Sequence, residues 1–204
     1  EGVEKDRVAS YFGMRKIQSE NGNVLLNNTP LYQRLILDQG YWKETLLTPP
    51  SDEAIRRDVE LTLKLGFNGA RKHQKIEDPR YYYWADKLGL LVWGELPSAY
   101  EFHSGAVKNS MRDLSDFVDA CFNHPSIIFW VPLNESWGVS AIVADRRQQD
   151  YARAMYYTLR ALDGTRLIST NDGWEQVNET DICAIHDYAY FPQNADKYDR
   201  FDVA

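Results

Sequence analysis

A carboxylate and an amide stand side by side at the end of an apolar run. Asn134 and Glu135 follow the run Ile127–Val131 after only two intervening residues. A glutamate at the mouth of a buried strand is partly desolvated, which raises its pKa and suits it to act as a general acid near neutral pH. The neighbouring amide can hydrogen-bond a substrate hydroxyl without competing for that proton. The pair therefore predicts proton transfer to a bound substrate.

Polar residues also follow each of the other strand candidates. These candidates are Leu31–Leu37, Phe67–Ala70, Leu90–Trp93, Leu167–Thr170 and Ile182–Ile185. The polar residues after them are, in the same order, Asp38 and Gln39, Arg71 and His73, Glu95, Asn171 and Asp172, and His186 and Asp187. A helix cap or a structural ion pair explains any one of these cases. Their recurrence at the same end of six strands favours a shared functional site.

Helical signals separate the strands. The sequence predicts one helix capped by Ser51 with Ile55, Val59 and Leu63 on one face, one from Pro79 to Leu88, one with Val107, Met111, Leu114, Val118 and Cys121 on one face, and one from about Asp145 to Leu162. Strands that alternate with helices predict parallel βα units. No glycine-rich phosphate-binding motif is present, which disfavours a nucleotide-binding doubly wound sheet. We therefore predict an α/β fold, a (β/α)8 TIM barrel that is incomplete, with about six of its eight strands.

A turn signal precedes the first of these strands. Asn21-Gly22 lies between the strand-like stretch Tyr11–Gln18 and the apolar residues Val24–Leu26. Asn-Gly between apolar runs is a strong local signal for a hairpin. We therefore predict a short β-hairpin before the barrel.

Composition limits the class of protein. The chain has 204 residues, which corresponds to roughly one domain. Its 23 basic and 30 acidic residues give a net charge of −7, which argues against nucleic acid and anionic membrane surfaces as partners. No apolar run approaches the ~18 residues of a membrane span, and no signal-peptide pattern is visible. We therefore expect a soluble protein, and its compartment, cytoplasmic or secreted or periplasmic, stays open.

The segment Asn123–Glu135 resembles the acid/base signature of glycoside hydrolase family 2, which includes β-galactosidases, β-glucuronidases and β-mannosidases. It reads Asn-His-Pro-Ser, then an apolar strand with a tryptophan, then Asn-Glu. The resemblance extends over essentially the whole chain, including Gly66–Arg71, Asp86–Glu95 and Asp163–Arg166. It implies a catalytic TIM barrel domain over residues 1–204, with residues 1–28 as linker and hairpin from a preceding immunoglobulin-like domain.

This resemblance implies roles for individual residues. Glu135 matches the general acid/base, Asn134 the residue that contacts the hydroxyl beside the anomeric carbon, and Arg71 the arginine of the second strand. We also predict substrate contacts for Asp38, Gln39, His73, Glu95, Trp137, Asn171, Trp174 and His186. Of these, Trp137 and Trp174 are expected to stack on a sugar ring. Glu95 is expected to orient Glu135 or Arg71. The implied partners are a carbohydrate substrate, preceding β-sandwich domains and the rest of the barrel; self-association stays open.

The sequence departs from the family pattern at several positions. Gln74 and Gln39 fall where histidines are common, although His73 is near enough to replace one of them. The magnesium ligands of some β-galactosidases would fall at Ala99 and Glu101. We therefore predict no metal and no other cofactor.

The resemblance places the nucleophile of such an enzyme after the seventh strand, and we expect it beyond Ala204. Glu175 follows the fifth strand and is expected to contact substrate or cap a loop. The preferred function is a retaining β-glycosidase of the β-galactosidase type. The alternatives are a β-glucuronidase or β-mannosidase, another retaining glycosidase family with the same barrel, or a non-catalytic carbohydrate-binding fragment. His124 precedes the fourth strand and is expected to bond the backbone there.

Overall fold

The computed structural model describes residues 2–189, in which short parallel strands alternate with helices. The strands are β1 (Ile17–Glu20), β2 (Asn23–Leu26), β3 (Thr29–Pro30), β4 (Leu35–Asp38), β5 (Gly69–Lys72), β6 (Leu91–Glu95), β7 (Ile127–Val131), β8 (Leu133–Asn134), β9 (Leu167–Ile168) and β10 (Asn171–Asp172). The helices are α1 (Asp52–Lys64), α2 (Pro79–Leu88), α3 (Ser104–Cys121) and α4 (Arg146–Leu162). None of these helices is both long and apolar enough to cross a bilayer.

The main sheet has five parallel strands in the order β4-β5-β6-β7-β9. Consecutive strands lie side by side, so the sheet winds in one direction as in a TIM barrel, without the reversal of a doubly wound fold. The predicted parallel neighbours, now β6 and β7, are confirmed. Within residues 2–189 the sheet does not close. β8 and β10 pair in parallel and continue the sheet past β7 and β9 at its carboxyl end.

Two apolar clusters lie on opposite faces of the sheet. Ala70, Val92 and Trp130 pack against the helices. On the inner face Trp93 stacks on Phe129 with ring centroids 4.3 Å apart, and the hairpin β1–β2 packs against this cluster. The predicted hairpin is confirmed, but its first strand is only β1, because residues 11–16 pair with no strand.

The helix ends follow the capping residues that the sequence contains. Ser51 accepts a hydrogen bond from Ala54 N at 3.1 Å, and Asp78 accepts one from Arg80 N at 2.9 Å. These side chains satisfy backbone donors that have no partner inside the helix. Gly89 ends α2 in the left-handed region at φ 82°, where a glycine has no Cβ to clash.

The sixth predicted strand, Ile182–Ile185, is wrong. In the structure this segment forms no strand, although Ile182 packs on the inner cluster. Asp181 bonds both the backbone N–H and the backbone C=O of Ile168, at the free edge of β9. Its carboxylate accepts from Ile168 N at 2.7 Å, and its own N–H donates to Ile168 O at 2.9 Å. The segment therefore leaves the sheet after a single backbone bond.

The predicted role of His124 is also wrong. Its ring does not bond the backbone, because Nδ1 lies 2.6 Å from the Asp86 carboxylate. Tyr11 donates its hydroxyl to the same carboxylate at 2.7 Å. The Asp86 carboxylate thus links Tyr11, near the amino terminus, to His124. This contact lies at the end of the sheet opposite the polar strand ends.

Candidate active site

Arg71 joins the carboxyl ends of three strands. Its Nε donates to Glu95 at 2.6 Å and lies 3.0 Å from Asp172, while its Nη2 donates to Asn134 Oδ1. A guanidinium has five donors in a rigid fork, so one side chain can bridge β6, β8 and β10. The site is therefore held together by charge-assisted bonds beneath the substrate-facing surface.

Glu95 is completely buried below this arginine. Its second oxygen accepts from Gln74 N at 2.8 Å. Burial raises the pKa of Glu95 to about 7, because the cost of desolvating the charge outweighs the stabilising charge and hydrogen bond of Arg71. Both oxygens of Glu95 thus accept hydrogen bonds within the chain, one from Arg71 and one from Gln74.

The raised pKa of Glu95 predicts a pH-dependent stability. The folded protein binds this proton more tightly than the unfolded chain, so this residue's contribution to the free energy of unfolding falls as pH rises from about 4.5 to about 7. Glu95→Gln should reduce that pH dependence. Urea unfolding of both proteins at about pH 5 and about pH 7.5 measures it. An unchanged pH dependence in the variant would contradict the burial argument.

The backbone turns sharply where Glu135 follows β8. Glu135 and Ser136 both lie in the left-handed region, at φ 48° and 59°. The turn is held because Glu135 N donates to Asp172 O at 2.9 Å. A Cβ on Gly173 would come 3.1 Å from Glu135 Cα, so the glycine permits this close approach. Strained backbone of this kind is retained where the surrounding structure enforces it.

The carboxylate of Glu135 has two hydrogen-bond partners. Its Oε1 lies 2.5 Å from His186 Nδ1 and accepts from the Tyr188 hydroxyl at 3.0 Å. The side chain is 22% exposed, so a ligand can still reach it.

The expectation that the pKa of Glu135 is raised is wrong for this chain. Burial acts to raise this pKa, but the hydrogen bonds from His186 and Tyr188, with the charges of His186 and His73, together lower it below its ordinary value. Desolvation alone would raise this pKa, but His186 and Tyr188, from a distant segment of the chain, bring hydrogen bonds to the carboxylate.

Asn134 is fully buried and only half satisfied. Its Oδ1 accepts from Arg71, but its Nδ2 has no hydrogen-bond partner among residues 2–189. An unpaired buried donor costs roughly 1–3 kcal/mol, and buried polar groups are usually paired with the protein or with an ordered water. The amide next to Glu135 therefore keeps its donors available for a partner outside the described residues.

Asp38 lies on the other face of the sheet. Its Oδ2 accepts from Lys72 Nζ at 2.7 Å, and Lys72 also pairs with Glu77 at 2.7 Å. Successive side chains alternate between the two faces of a strand, so Lys72 and Arg71 point in opposite directions. The register pairs Asp38 with Lys72, and the structure does not bring Asp38 to Glu135.

An open cavity of about 550 Å³ lies at the end of β5 and is lined in part by Gln39, His73 and Gln74. Gln39 Nε2 and His73 Nδ1 are 3.3 Å apart. Burial and the charge of Arg71 lower the pKa of His73, which favours its neutral form. Gln74, at the family histidine position, binds Glu95 with its backbone and Ser98 N with its side chain.

The two tryptophans take different positions. Trp137 is 44% exposed and meets Tyr100 edge-to-face at 5.6 Å, and both line an open cavity of about 320 Å³ together with Glu135. Trp174 donates its Nε1 to His186 O at 2.8 Å and so supports the segment that contacts Glu135.

Asn171 supports the loop after Glu135. It accepts from Ser136 N at 3.0 Å and donates to Ser136 Oγ at 3.0 Å. Glu175 accepts from the same hydroxyl at 2.5 Å, which agrees with the expected role in holding a loop. Both side chains are thus used within the chain.

From sequence, Asp172 is one of the polar residues at strand ends but has no predicted contact, and no contact with Glu135 is predicted for Tyr188. Asp172 bonds Arg71 and lies 3.1 Å from His186 Nε2, while Tyr188 bonds Glu135. The signal for Asp172 was its place next to Asn171 at a strand end, where alternation makes one of the two face the site. No group of His, Cys, Asp and Glu that could hold a metal occurs within residues 2–189.

Known proteins resemble this chain over most of its length. The family described as "Glycosyl hydrolases family 2, TIM barrel domain" matches residues 18–201. A β-galactosidase of Vibrio cholerae is 29% identical over 180 residues, which cover 83% of this chain and 16% of that protein. A putative β-glucuronidase of Formosa agariphila is 36% identical over 84 residues, 40% of this chain and 10% of that protein.

A solved structure shares the fold. The crystal structure of a Bacteroides uniformis β-glucuronidase superposes with a TM-score of 0.69 at 27% identity. The match covers 77% of this chain and 20% of that one. The chain therefore spans about a fifth or less of the length of these relatives. The family match and the one-way parallel sheet agree, and the chain belongs to glycoside hydrolase family 2, in its TIM barrel domain.

Proposed function

We propose that this domain works in a retaining β-glycosidase that hydrolyses terminal β-linked sugars, with Glu135 as general acid/base. The observation that carries the proposal is the unpaired Nδ2 of Asn134 beside the accessible carboxylate of Glu135. Arg71 holds the amide oxygen, and the NH2 group keeps its donors for a partner from outside the described residues. A sugar hydroxyl at this amide places the neighbouring anomeric centre near Glu135.

The chemistry needs two proton transfers at Glu135, one to the leaving oxygen and one from water. Glu135 gives its proton to the leaving oxygen as the glycosidic bond breaks and a second carboxylate bonds the anomeric carbon. Glu135 then takes a proton from the water that releases the sugar. Asp172, Glu95 and Glu175 are each bonded within the chain, which supports the proposal that the second carboxylate comes from outside residues 2–189.

The second carboxylate also bears on the lowered pKa of Glu135. A negative charge close to a carboxyl group raises the pKa of that group, often by one or more units. In the assembled site the negative charge of the nucleophile therefore raises the pKa of Glu135 and opposes the lowering by His186 and Tyr188. A higher pKa lets Glu135 carry the proton that acid catalysis needs.

A β-galactoside is the preferred substrate, and the relatives that cover more than 80% of this chain include named β-galactosidases. The solved relatives and the Formosa protein favour a β-glucuronide as the second candidate. A glucuronate carboxylate needs a free cation. Among the described residues, the cations in β5 and in the loop after it already pair with carboxylates of the chain, namely Arg71, Lys72 and Lys75, which supports a neutral sugar.

The test is a panel of aryl β-galactoside, β-glucuronide and β-mannoside assayed with the full-length gene product. We expect hydrolysis of the galactoside first, with the β-anomer as initial product by NMR. Hydrolysis of the glucuronide alone would support the second candidate. An α-anomer as initial product would contradict the retaining mechanism, and binding of sugars without any turnover would support a non-catalytic carbohydrate-binding fragment.

Trp137 is proposed to stack on the leaving group or on a second sugar. Trp137→Ala should raise KM for aryl β-glycosides by about 3- to 10-fold, because a stacked aromatic contact contributes roughly 0.5–1.5 kcal/mol beyond its buried area. Tyr157→Ala, which removes an exposed aromatic side chain on α4, is the matched control. Equal KM values in the wild type and Trp137→Ala would remove Trp137 from the site.

We further propose that residues 1–28 lead into the barrel from a preceding β-sandwich domain, and that residues 1–204 belong to the catalytic domain. Residues 2–16 form no helix or strand. The hairpin then packs on the inner sheet face. Limited proteolysis of the full-length protein should therefore cut first within residues 2–10, which are all exposed.

A further inference from the structure

We infer that His186 positions the carboxyl group of Glu135 for proton transfer, by linking it to Asp172 through both of its ring nitrogens. This inference rests on the proposed role of Glu135. Nδ1 of His186 lies 2.5 Å from Glu135 Oε1, and Nε2 lies 3.1 Å from Asp172 Oδ1. From sequence, His186 is predicted to contact substrate, whereas here both ring nitrogens bond carboxylates of the protein.

The frame around His186 is rigid. Asp172 is buried, and its other oxygen pairs with Arg71 at 3.0 Å. Trp174 donates to the backbone carbonyl of His186 at 2.8 Å, and the two rings pack edge-to-face at 5.1 Å. The imidazole is thus held at its backbone, at its ring face and at Nε2. Its remaining nitrogen can hold the Glu135 side chain in a single orientation.

The hydrogen-bond chemistry keeps the link to His186 intact during proton transfer. Glu135 Oε1 and an ionised Asp172 both accept, so an imidazole with hydrogens on Nδ1 and Nε2 donates to each of them. The proton that Glu135 transfers is then carried on its other carboxyl oxygen, Oε2. Glu135 can therefore give this proton to the leaving oxygen and take another from water while His186 continues to donate to Oε1.

Other charged groups face this pair. Arg71 and His73 lie on the β5 side, and Tyr188 donates to the same Glu135 oxygen. These groups stay in place when His186 is changed, so the expected effect comes from the lost link and not from a rebuilt site. The side chain of Tyr188 is exposed, so we expect it to hold Glu135 less firmly than His186 does.

Two substitutions separate the two ends of the imidazole. In His186→Asn the amide nitrogen stands near the place of Nδ1 and keeps a donor for Glu135. In His186→Gln the amide reaches the place of Nε2 and keeps only the contact to Asp172. His186→Gln should lower kcat for an alkyl β-glycoside by about 10-fold or more, a part of the roughly 10²–10⁴-fold supplied by acid catalysis. His186→Asn should lose about tenfold less than His186→Gln.

The readouts distinguish positioning from a general structural role. For a dinitrophenyl β-glycoside, which leaves without protonation, His186→Gln should lower kcat much less than for the alkyl glycoside, and KM should change little for either. In a Glu135→Gln background, His186→Gln should cause no further loss for the alkyl glycoside. His103→Gln, at the cap of α3, is the matched control and should keep wild-type rates. All of these proteins are full-length, and their folding is checked by thermal unfolding.

Each outcome decides the inference. Equal losses on both substrates, or a further loss in the Glu135→Gln background, would overturn it and give His186 a structural role only. If His186→Gln does not fold, His186→Asn and the wild type still carry the comparison of the two substrates, and a loss in His186→Asn as large as that of Glu135→Gln would count against the inference. If Glu135→Gln itself leaves hydrolysis of the alkyl glycoside unchanged, the proposed function fails first.

Discussion

Glu135→Gln in the full-length gene product is expected to lower kcat for alkyl β-glycosides by about 10²–10⁴-fold, the usual contribution of a general acid/base. Glutamine keeps the shape of the side chain and can still contact His186 and Tyr188, so the fold should stay intact. The loss in the first step should shrink for leaving groups that need no proton. Steady-state rates on a series of aryl and alkyl glycosides measure this dependence.

Glu179→Gln is the matched control for this substitution. Glu179 pairs with Arg153 of α4 and does not take part in the site, so rates on every substrate should stay at the wild-type level. Hydrolysis of poor leaving groups by Glu135→Gln at the wild-type rate would show that another residue is the acid.

The chain Glu1–Ala204, produced by itself, is expected to hydrolyse no glycoside at a detectable rate. A retaining mechanism needs two carboxylates about 5–5.5 Å apart across the anomeric carbon. In the described part of the chain, the carboxylates near Glu135 are all bonded: Asp172 to Arg71, Glu95 to Arg71 and Gln74, and Glu175 to Ser136. Asp172 and Glu95 use both of their oxygens in bonds within the chain, and Glu175 is bonded through one of its two oxygens.

The assay uses a dinitrophenyl β-glycoside, with the chain, its Glu135→Gln variant and the full-length protein measured side by side. Weak sugar binding by the chain is compatible with the prediction, because Arg71 and Asn134 are already in place. Turnover by the chain that disappears in Glu135→Gln would reveal a second carboxylate within these residues, and Glu175 would be the first to substitute.

Local sequence patterns are enough to predict the alternation of strands and helices, and the motifs are enough to identify the family. Buried strands such as Ile127–Val131 are continuous apolar runs, and caps such as Ser51 and Asp78 mark the helix starts. These signals are local, because they depend on residues a few positions apart. The place of Glu135 at a strand end followed from the same local pattern.

Which polar residues come into contact depends on how the strands pack. Asp38 and Arg71 both stand at strand ends, yet the alternation of side chains sends them to opposite faces of the sheet. Asp181 bonds the backbone N–H and C=O of Ile168, and the predicted sixth strand does not join the sheet. The direction of the pKa shift of Glu135 depends on His186, 51 residues later in the chain. Such long-range contacts follow from how the strands pack together, and no window of local sequence contains them.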